Sequence, residues 1–111
     1  MLYELREYES VPGRMPALVA RFRDHTLRLF AEHGFDVAFI GLTEFGENSN
    51  NQLTYALRFT SYAEMEQRWA EFMRNPEWLR VRKDSERDGP LVARVHRRLI
   101  NTATFDDAGR A

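Results

Sequence analysis

The sequence predicts an α+β fold of the ferredoxin-like type, with β-α-β-β-α-β element order and a four-stranded antiparallel sheet that carries two helices on one face. Three observations lead to this prediction: an alternating first strand, a long amphipathic segment that ends at a glycine, and a strand followed by a capped helix between residues 51 and 78. Because right-handed crossovers are strongly favoured, the expected spatial order of the strands is 4-1-3-2.

The composition is that of a single soluble globular domain. The chain has 111 residues, of which 43% are hydrophobic and 30% are charged, and its formal net charge is -1. We expect one domain over residues 1–105 and a tail over residues 106–111. The charge balance argues against a nucleic-acid partner, and no apolar run is long enough for a membrane span. The absence of cysteine excludes disulfides and thiolate metal sites, and a cytoplasmic location is expected.

The first half of the chain reads as strand, helix and strand. Residues 2–9 alternate as a strand does, and residues 11–13 form a Pro-Gly turn. Apolar residues then recur at helical spacing over residues 14–33, and Gly34 is placed to end this helix in the left-handed conformation. Residues 35–45 read as a second strand that is apolar on both faces.

The second half begins with a polar loop over residues 46–50 and a third strand with a period of two. Ser61 and Glu64 have the spacing of a capping box, in which the serine hydroxyl accepts from the N–H of Glu64 and the carboxylate accepts from the N–H of Ser61. An apolar helix stripe follows, and Asn75-Pro76 ends it. A short helical piece begins at Pro76, and residues 91–100 form the last strand.

The second strand suggests an interface. Two helices cover only one face of the sheet, so either Ile40 and Leu42 or the opposite set of apolar side chains would face water in a monomer. Contiguous exposed apolar area usually marks an interaction surface. We therefore expect a two-fold homodimer whose two sheets meet face to face as a barrel. The alternative is a monomer with an uncovered apolar face.

Several short motifs occur in a fixed order along the chain: Tyr3-Glu4-Leu5-Arg6-Glu7-Tyr8, Pro12-Gly13, Asn51-Gln52, Arg68, Asn75-Pro76-Glu77-Trp78 and Thr104-Phe105. Together they make about residues 2–105 similar to the NIPSNAP family of the dimeric α+β barrel superfamily, and we expect the dimeric α+β barrel fold. The sequence departs from the family in the third strand, where Leu57 and Phe59 stand at places that tend to hold Trp and Tyr. The resemblance implies a dimeric module without an established general chemistry. Relatives with the same barrel include cofactor-independent monooxygenases, haem-binding and haem-degrading enzymes, and ligand-sensing domains.

The candidate ligand-binding residues lie mainly on the strands. If Tyr3 and Leu5 face the helices, the alternation along the strands points a set of polar side chains at the cavity between the two sheets. A tryptophan at the bend after Pro76 would close one end of this cavity. Guanidinium groups there would suit a carboxylate or another planar anion. The full candidate set is Glu4, Arg6, Tyr8, Arg58, Arg94, His96, Arg98 and Trp78. Alternatively, these charges only pair across strands, Glu4 with Arg94 for example, and hold the dimer together.

The chemistry at this site stays open at the level of sequence. The first hypothesis is a homodimer that binds a small planar or anionic ligand without catalysis. The second is an enzyme, such as a cofactor-independent monooxygenase, with His96, Tyr8 and Arg6 around the substrate. The third is a haem binder that uses His96 or His25. We expect no cofactor and no zinc site, because no histidine pair has helical metal-ligand spacing.

Overall fold

The computed structural model describes residues 1–107 and confirms the ferredoxin-like α+β fold. The strands are β1 (Leu2–Ser10), β2 (Asp36–Leu42), β3 (Gln52–Phe59) and β4 (Val92–Asn101), and the helices are α1 (Met15–Arg21), α2 (Leu27–Glu32), α3 (Tyr62–Phe72) and α4 (Pro76–Ser85). The four strands form one antiparallel sheet in the order β2-β3-β1-β4, which is the predicted 4-1-3-2 order read from the opposite edge. Of the expected tail, residues 108–111 lie outside the described residues.

The first helical region contains a π-helical turn that the sequence pattern did not predict. Residues Phe22–Thr26 separate α1 from α2, and the N–H of Leu27 donates to the carbonyl of Phe22, five residues earlier. The wider turn brings Thr26 into the core, where its hydroxyl donates to the carbonyl of Arg21 at 3.3 Å. Thr26 is thus a polar member of an otherwise apolar helix face. Turns of this kind occur frequently at functional sites.

Residues of α3 and of the N-terminus of α4 hydrogen-bond to the end of α2. Gly34 has a φ of +75°, as predicted for the residue after the helix. Arg68 donates from Nη1 to the carbonyl of His33 at 2.9 Å, and Asn75 Nδ2 lies 2.8 Å from Nε2 of His33. Two residues that carry the family resemblance, Arg68 and Asn75, therefore connect α2 to α3 and α4.

Both later helices begin at side-chain caps. The Ser61 hydroxyl accepts from the N–H of Glu64 at 3.1 Å, as predicted. The Glu64 carboxylate accepts from the N–H of Thr60 rather than that of Ser61, so the reciprocal half of the predicted box shifts by one residue. Asn75 caps α4 by accepting from two N–H groups of its first turn, the closer at 2.8 Å. With this cap α4 extends for 10 residues, longer than the short piece expected.

A register shift in β2 resolves its double-sided apolar pattern. The pairing with β3 shifts between Val37 and Phe39, so Val37 and Ile40 pack against the core on the helix side. Phe39 lies on the other face, which we call the open face of the sheet, and it is 52% exposed. The strand ends at Leu42, three residues before the predicted end.

The core lies between the sheet and the helices. It is rich in aromatic rings, and its members include Leu18, Phe22, Leu29, Phe30, Phe35, Leu53, Tyr55, Leu57, Phe59 and Phe72. Within the part of the chain that the structure describes, no helix has both the length and the apolar character needed to cross a membrane.

Candidate functional site

The sheet divides the predicted site residues between its two faces. Glu4, Arg6 and Tyr8 face the helices, because they stand next to the apolar residues of β3 that the helices cover; Arg6, for example, is opposite Tyr55. Side chains directly opposite each other on antiparallel strands share a face. The expectation that these three residues point away from the helices is therefore wrong. The other strand candidates, Arg58, Arg94, His96 and Arg98, lie on the open face.

The open-face cations pair with acidic neighbours on adjacent strands. The pairs are Arg58 Nη1 with Asp36 at 2.8 Å, Arg94 Nε with Glu9 at 3.3 Å, His96 Nε2 with Glu9 at 3.7 Å, and Arg98 Nη2 with Glu7 at 3.1 Å. The charged residues of this face therefore pair across strands, as the alternative interpretation of the sequence expected. The example given there was wrong, because Arg94 pairs with Glu9 and not with Glu4. A single cavity lined by all the strand candidates does not form.

Glu4 is the centre of a buried polar network on the helix side. Its side chain is fully buried, and its two oxygens accept from Trp69 Nε1 at 2.6 Å, Arg6 Nη1 at 3.1 Å and Arg97 Nε at 2.5 Å. Taking a carboxylate out of water is costly unless it is paired and hydrogen-bonded. Here both requirements are met, and one of the donors comes from α3.

Arg6 and two tyrosines extend this network. Arg6 donates from Nε and Nη2 to the Tyr8 hydroxyl at 3.3 and 3.1 Å, and the hydroxyls of Tyr8 and Tyr55 are 2.9 Å apart. The guanidinium carbon lies 4.7 Å from the centroid of the Trp69 ring, within cation–π range. Burial lowers the pKa of Arg6, but the phenols and Glu4 more than offset this, so its pKa lies above the ordinary value. Burial also raises the pKa of Tyr55.

A cavity of about 420 Å³ lies beside this network, between the helices and the sheet. Its volume falls within the usual range of small-molecule sites. Phe22 and Thr26 of the π-helical turn contribute to its lining. Its aromatic walls are Tyr8, Phe22, Phe30, Tyr55, Trp69, Phe72 and Trp78. Of the eight predicted site residues, Arg6, Tyr8 and Trp78 line it. Arg94 also contributes to the lining, although its register on β4 places it on the open face.

Sequence reasoning missed several residues of this cavity. Phe22, Tyr55 and Trp69 occupy the apolar stripes, where they are indistinguishable from ordinary core residues. Arg21 was not singled out either, although its spacing from Leu18 places it on the buried side of α1, an unusual position for a cation.

The three histidines, all among the described residues, lie away from the cavity lining. His25 is exposed, and His33 contacts Asn75 beyond the end of α2. His96 is 48% exposed on the open face. Among the residues that the structure describes there is also no group of three or more side chains placed to hold a metal ion.

The fold and this cavity define the class of protein: a ferredoxin-like α+β chain with a ligand-sized, aromatic cavity under its helices. The sequence model of the NIPSNAP family matches residues 3–106. The chain therefore belongs to the NIPSNAP family. No curated protein sequence gives a significant match.

Solved structures agree with this assignment. A NIPSNAP family protein with unknown function from Agrobacterium tumefaciens is 24% identical, with a TM-score of 0.78 over 90% of this chain and 86% of that one. An uncharacterized NIPSNAP domain protein from Burkholderia xenovorans is 15% identical, with a TM-score of 0.80 over 95% and 97% of the two chains. A putative antibiotic biosynthesis monooxygenase from Nitrosomonas europaea is 11% identical, with a TM-score of 0.62 over 91% and 97%. At these identities the similarity concerns the fold alone.

Proposed function

We propose that this NIPSNAP protein is a homodimer that binds a small planar, anionic ligand in the cavity between its helices and its sheet. The observation that carries the proposal is the combination of aromatic walls with convergent polar groups, chiefly Arg6, Tyr8 and Tyr55. Concave, mostly apolar sites with a few fixed polar groups are typical of ligand pockets. This location replaces the cavity between two sheets that the sequence suggested.

The shape and charge of the lining indicate the class of ligand. Trp69 and Trp78 line the cavity, and flat aromatic side chains in a lining favour a planar molecule. Four arginines, Arg6, Arg21, Arg82 and Arg94, also line it, and a guanidinium group binds a carboxylate through two parallel hydrogen bonds. An aromatic carboxylate satisfies both features.

Binding is tested by calorimetric titration with 2-naphthoate against the wild type and an Ala93→Phe variant. Ala93 is exposed and lines the cavity, so a phenyl ring there obstructs it. Ala70→Phe is the matched control, because Ala70 is exposed on α3 and does not line this cavity. We expect binding to the wild type and to Ala70→Phe, and a loss of affinity of about tenfold or more, or about 1.4 kcal/mol, in Ala93→Phe. Equal affinity in all three proteins, or no binding to any, contradicts the proposal.

The homodimer is proposed to form through the open face of the sheet. Phe39 and Ile100 are 52% and 45% exposed there, and neither the helices nor the loops of the same chain cover them. Sedimentation equilibrium at micromolar concentration should give twice the chain mass of 13.1 kDa. The double variant Phe39→Asp/Ile100→Asp should sediment as a monomer, because facing carboxylates and lost apolar burial both disfavour association. A monomeric wild type contradicts this part of the proposal.

The enzymatic alternatives draw less support. A monooxygenase or haem protein that relies on His96 would need this residue at the cavity, and it lies on the open face beside Glu9. Haem binding through His96 or His25 is tested by a haem titration followed by absorbance. We expect no Soret shift; a shift that disappears in His96→Ala or His25→Ala would favour haem binding instead.

A further inference from the structure

We infer that Arg21 is the residue that binds the anionic group of the ligand, a carboxylate on an aromatic ring. This inference rests on the proposed function, and it identifies which cation of the cavity recognises the charge. Four arginines line the cavity, but Arg82 and Arg94 are exposed to water. The inference follows from a difference between the other two, Arg6 and Arg21.

Arg6 is already committed to protein partners. All three of its nitrogens donate, two to Tyr8 and one to the buried Glu4, and its plane lies over the Trp69 ring. A ligand carboxylate that approached Arg6 would have to compete with Glu4 for a cation that is already neutralised. Arg6 therefore positions the Tyr8 hydroxyl and is poorly placed to capture a new anion.

Arg21 is also buried, but its positive charge is paired much more weakly than that of Arg6. Its side chain is 6% exposed, and its Nη1 makes only long contacts, 3.2 Å to the Ser85 hydroxyl and 3.4 Å to Glu86. Its Nε is shielded from solvent and has no hydrogen-bond partner among the described residues. Glu86 is itself 34% exposed, so water screens the charge that faces Arg21.

The titration behaviour of Arg21 agrees with this geometry. Burial lowers the pKa of Arg21, and Glu86 offsets the loss only in part, while the nearby positive charge of Arg82 lowers the pKa further. A buried cation with incomplete pairing gains stability from any anion that reaches it. The guanidinium carbon also lies 5.5 Å from the centroid of the Trp78 ring, so an aromatic carboxylate at Arg21 would have a flat surface beside it.

The test compares 2-naphthoate with its neutral analogue 2-naphthamide by isothermal titration calorimetry. The proteins are the wild type, Arg21→Met and Glu86→Gln. We expect the wild type to prefer the carboxylate by about tenfold or more. Arg21→Met should lose this preference and keep its affinity for the amide. Glu86→Gln should bind the carboxylate several-fold more tightly, because it removes the protein anion that competes for Arg21.

The two substitutions separate recognition from a structural role. If Arg21 only supported the fold, Arg21→Met and Glu86→Gln would both weaken binding of the two compounds equally, and the inference would be overturned while the proposed function stood. A carboxylate preference that survives in Arg21→Met has the same meaning. If the wild type bound neither compound, the proposed function and the inference would both fail. Glu86→Gln keeps nearly the same side-chain shape at a position that is 34% exposed, so its predicted gain remains measurable even where Arg21→Met is unstable.

Discussion

The two faces of strand β1 carry similar residues under opposite physical conditions. On the helix side, Glu4 is fully buried and takes three hydrogen bonds from charged or aromatic donors. On the open face, Glu7 is 26% exposed and pairs at 3.1 Å with Arg98, which is 64% exposed. A buried charge must be fully partnered, whereas a solvated one gains little from its pair. The helix-side network therefore specifies the packing of the sheet, and the open-face pairs remain free to exchange partners.

The largest expected effect comes from removing the buried carboxylate. Glu4→Ala should lower the free energy of unfolding by about 3–5 kcal/mol, because it leaves the Arg6 charge in a buried setting without its anion. Glu7→Ala is the matched control on the same strand and should cost at most about 1 kcal/mol. Urea unfolding followed by tryptophan fluorescence measures both. Equal losses in the two variants would show that burial does not separate the faces as described.

Local and topological features of this fold could be predicted from the sequence. The Ser61 cap, the left-handed Gly34 and the strand order depend on short-range signals and on the handedness of crossovers, which require no knowledge of distant contacts. The face of β1 could not be predicted in this way. Leu2, Glu4, Arg6 and Tyr8 are no more apolar than the alternate set on the same strand, so the local pattern carries no preference.

Partners that are distant in sequence decide which side chains of β1 face the helices. Trp69, on α3, supplies the Nε1 donor to Glu4, and Arg97 supplies another from β4. The cavity could not be predicted from the sequence for a related reason. The π-helical turn at Phe22–Thr26 changes the helical phase within this region, and Phe22 and Thr26 both line the cavity.

A second comparison uses two glycines, one packed against α3 and one in an exposed turn. Gly34 and Gly13 both have positive φ, but a Cβ at Gly34 would lie 2.4 Å from Arg68 Nη1, whereas nothing lies within 4 Å of one at Gly13. Gly34→Ala should therefore cost about 1–3 kcal/mol from backbone strain plus the displaced Arg68 contact. Gly13→Ala should show the smaller, purely conformational cost of about 1 kcal/mol. Thermal unfolding of both variants gives the difference, and equal costs would contradict the role of Arg68.

A smaller effect is expected from the tyrosine pair at the cavity. Tyr55 is 1% exposed and its hydroxyl contacts that of Tyr8, so Tyr55→Phe should cost about 1 kcal/mol through loss of a buried hydrogen bond. Tyr62→Phe, at an exposed position of α3, should change stability by at most about 0.5 kcal/mol. Chemical denaturation measures the two. A neutral Tyr55→Phe would show that the contact between the two hydroxyls does not stabilise the fold.

The smallest effect tests the open face itself. A double-mutant cycle on Arg98 and Glu7 should give a coupling energy of at most about 1 kcal/mol when the protein is dilute, because both side chains are solvated. If a second copy covers this face, the same pair is desolvated in the dimer and its coupling energy must change as protein concentration rises. A cycle measured above and below the dimer dissociation constant therefore examines both the weakness of the pair and the surface through which the chain associates. A coupling energy independent of concentration would show that no second copy covers this pair, and the open face would then be a solvent surface with its charges paired only to one another.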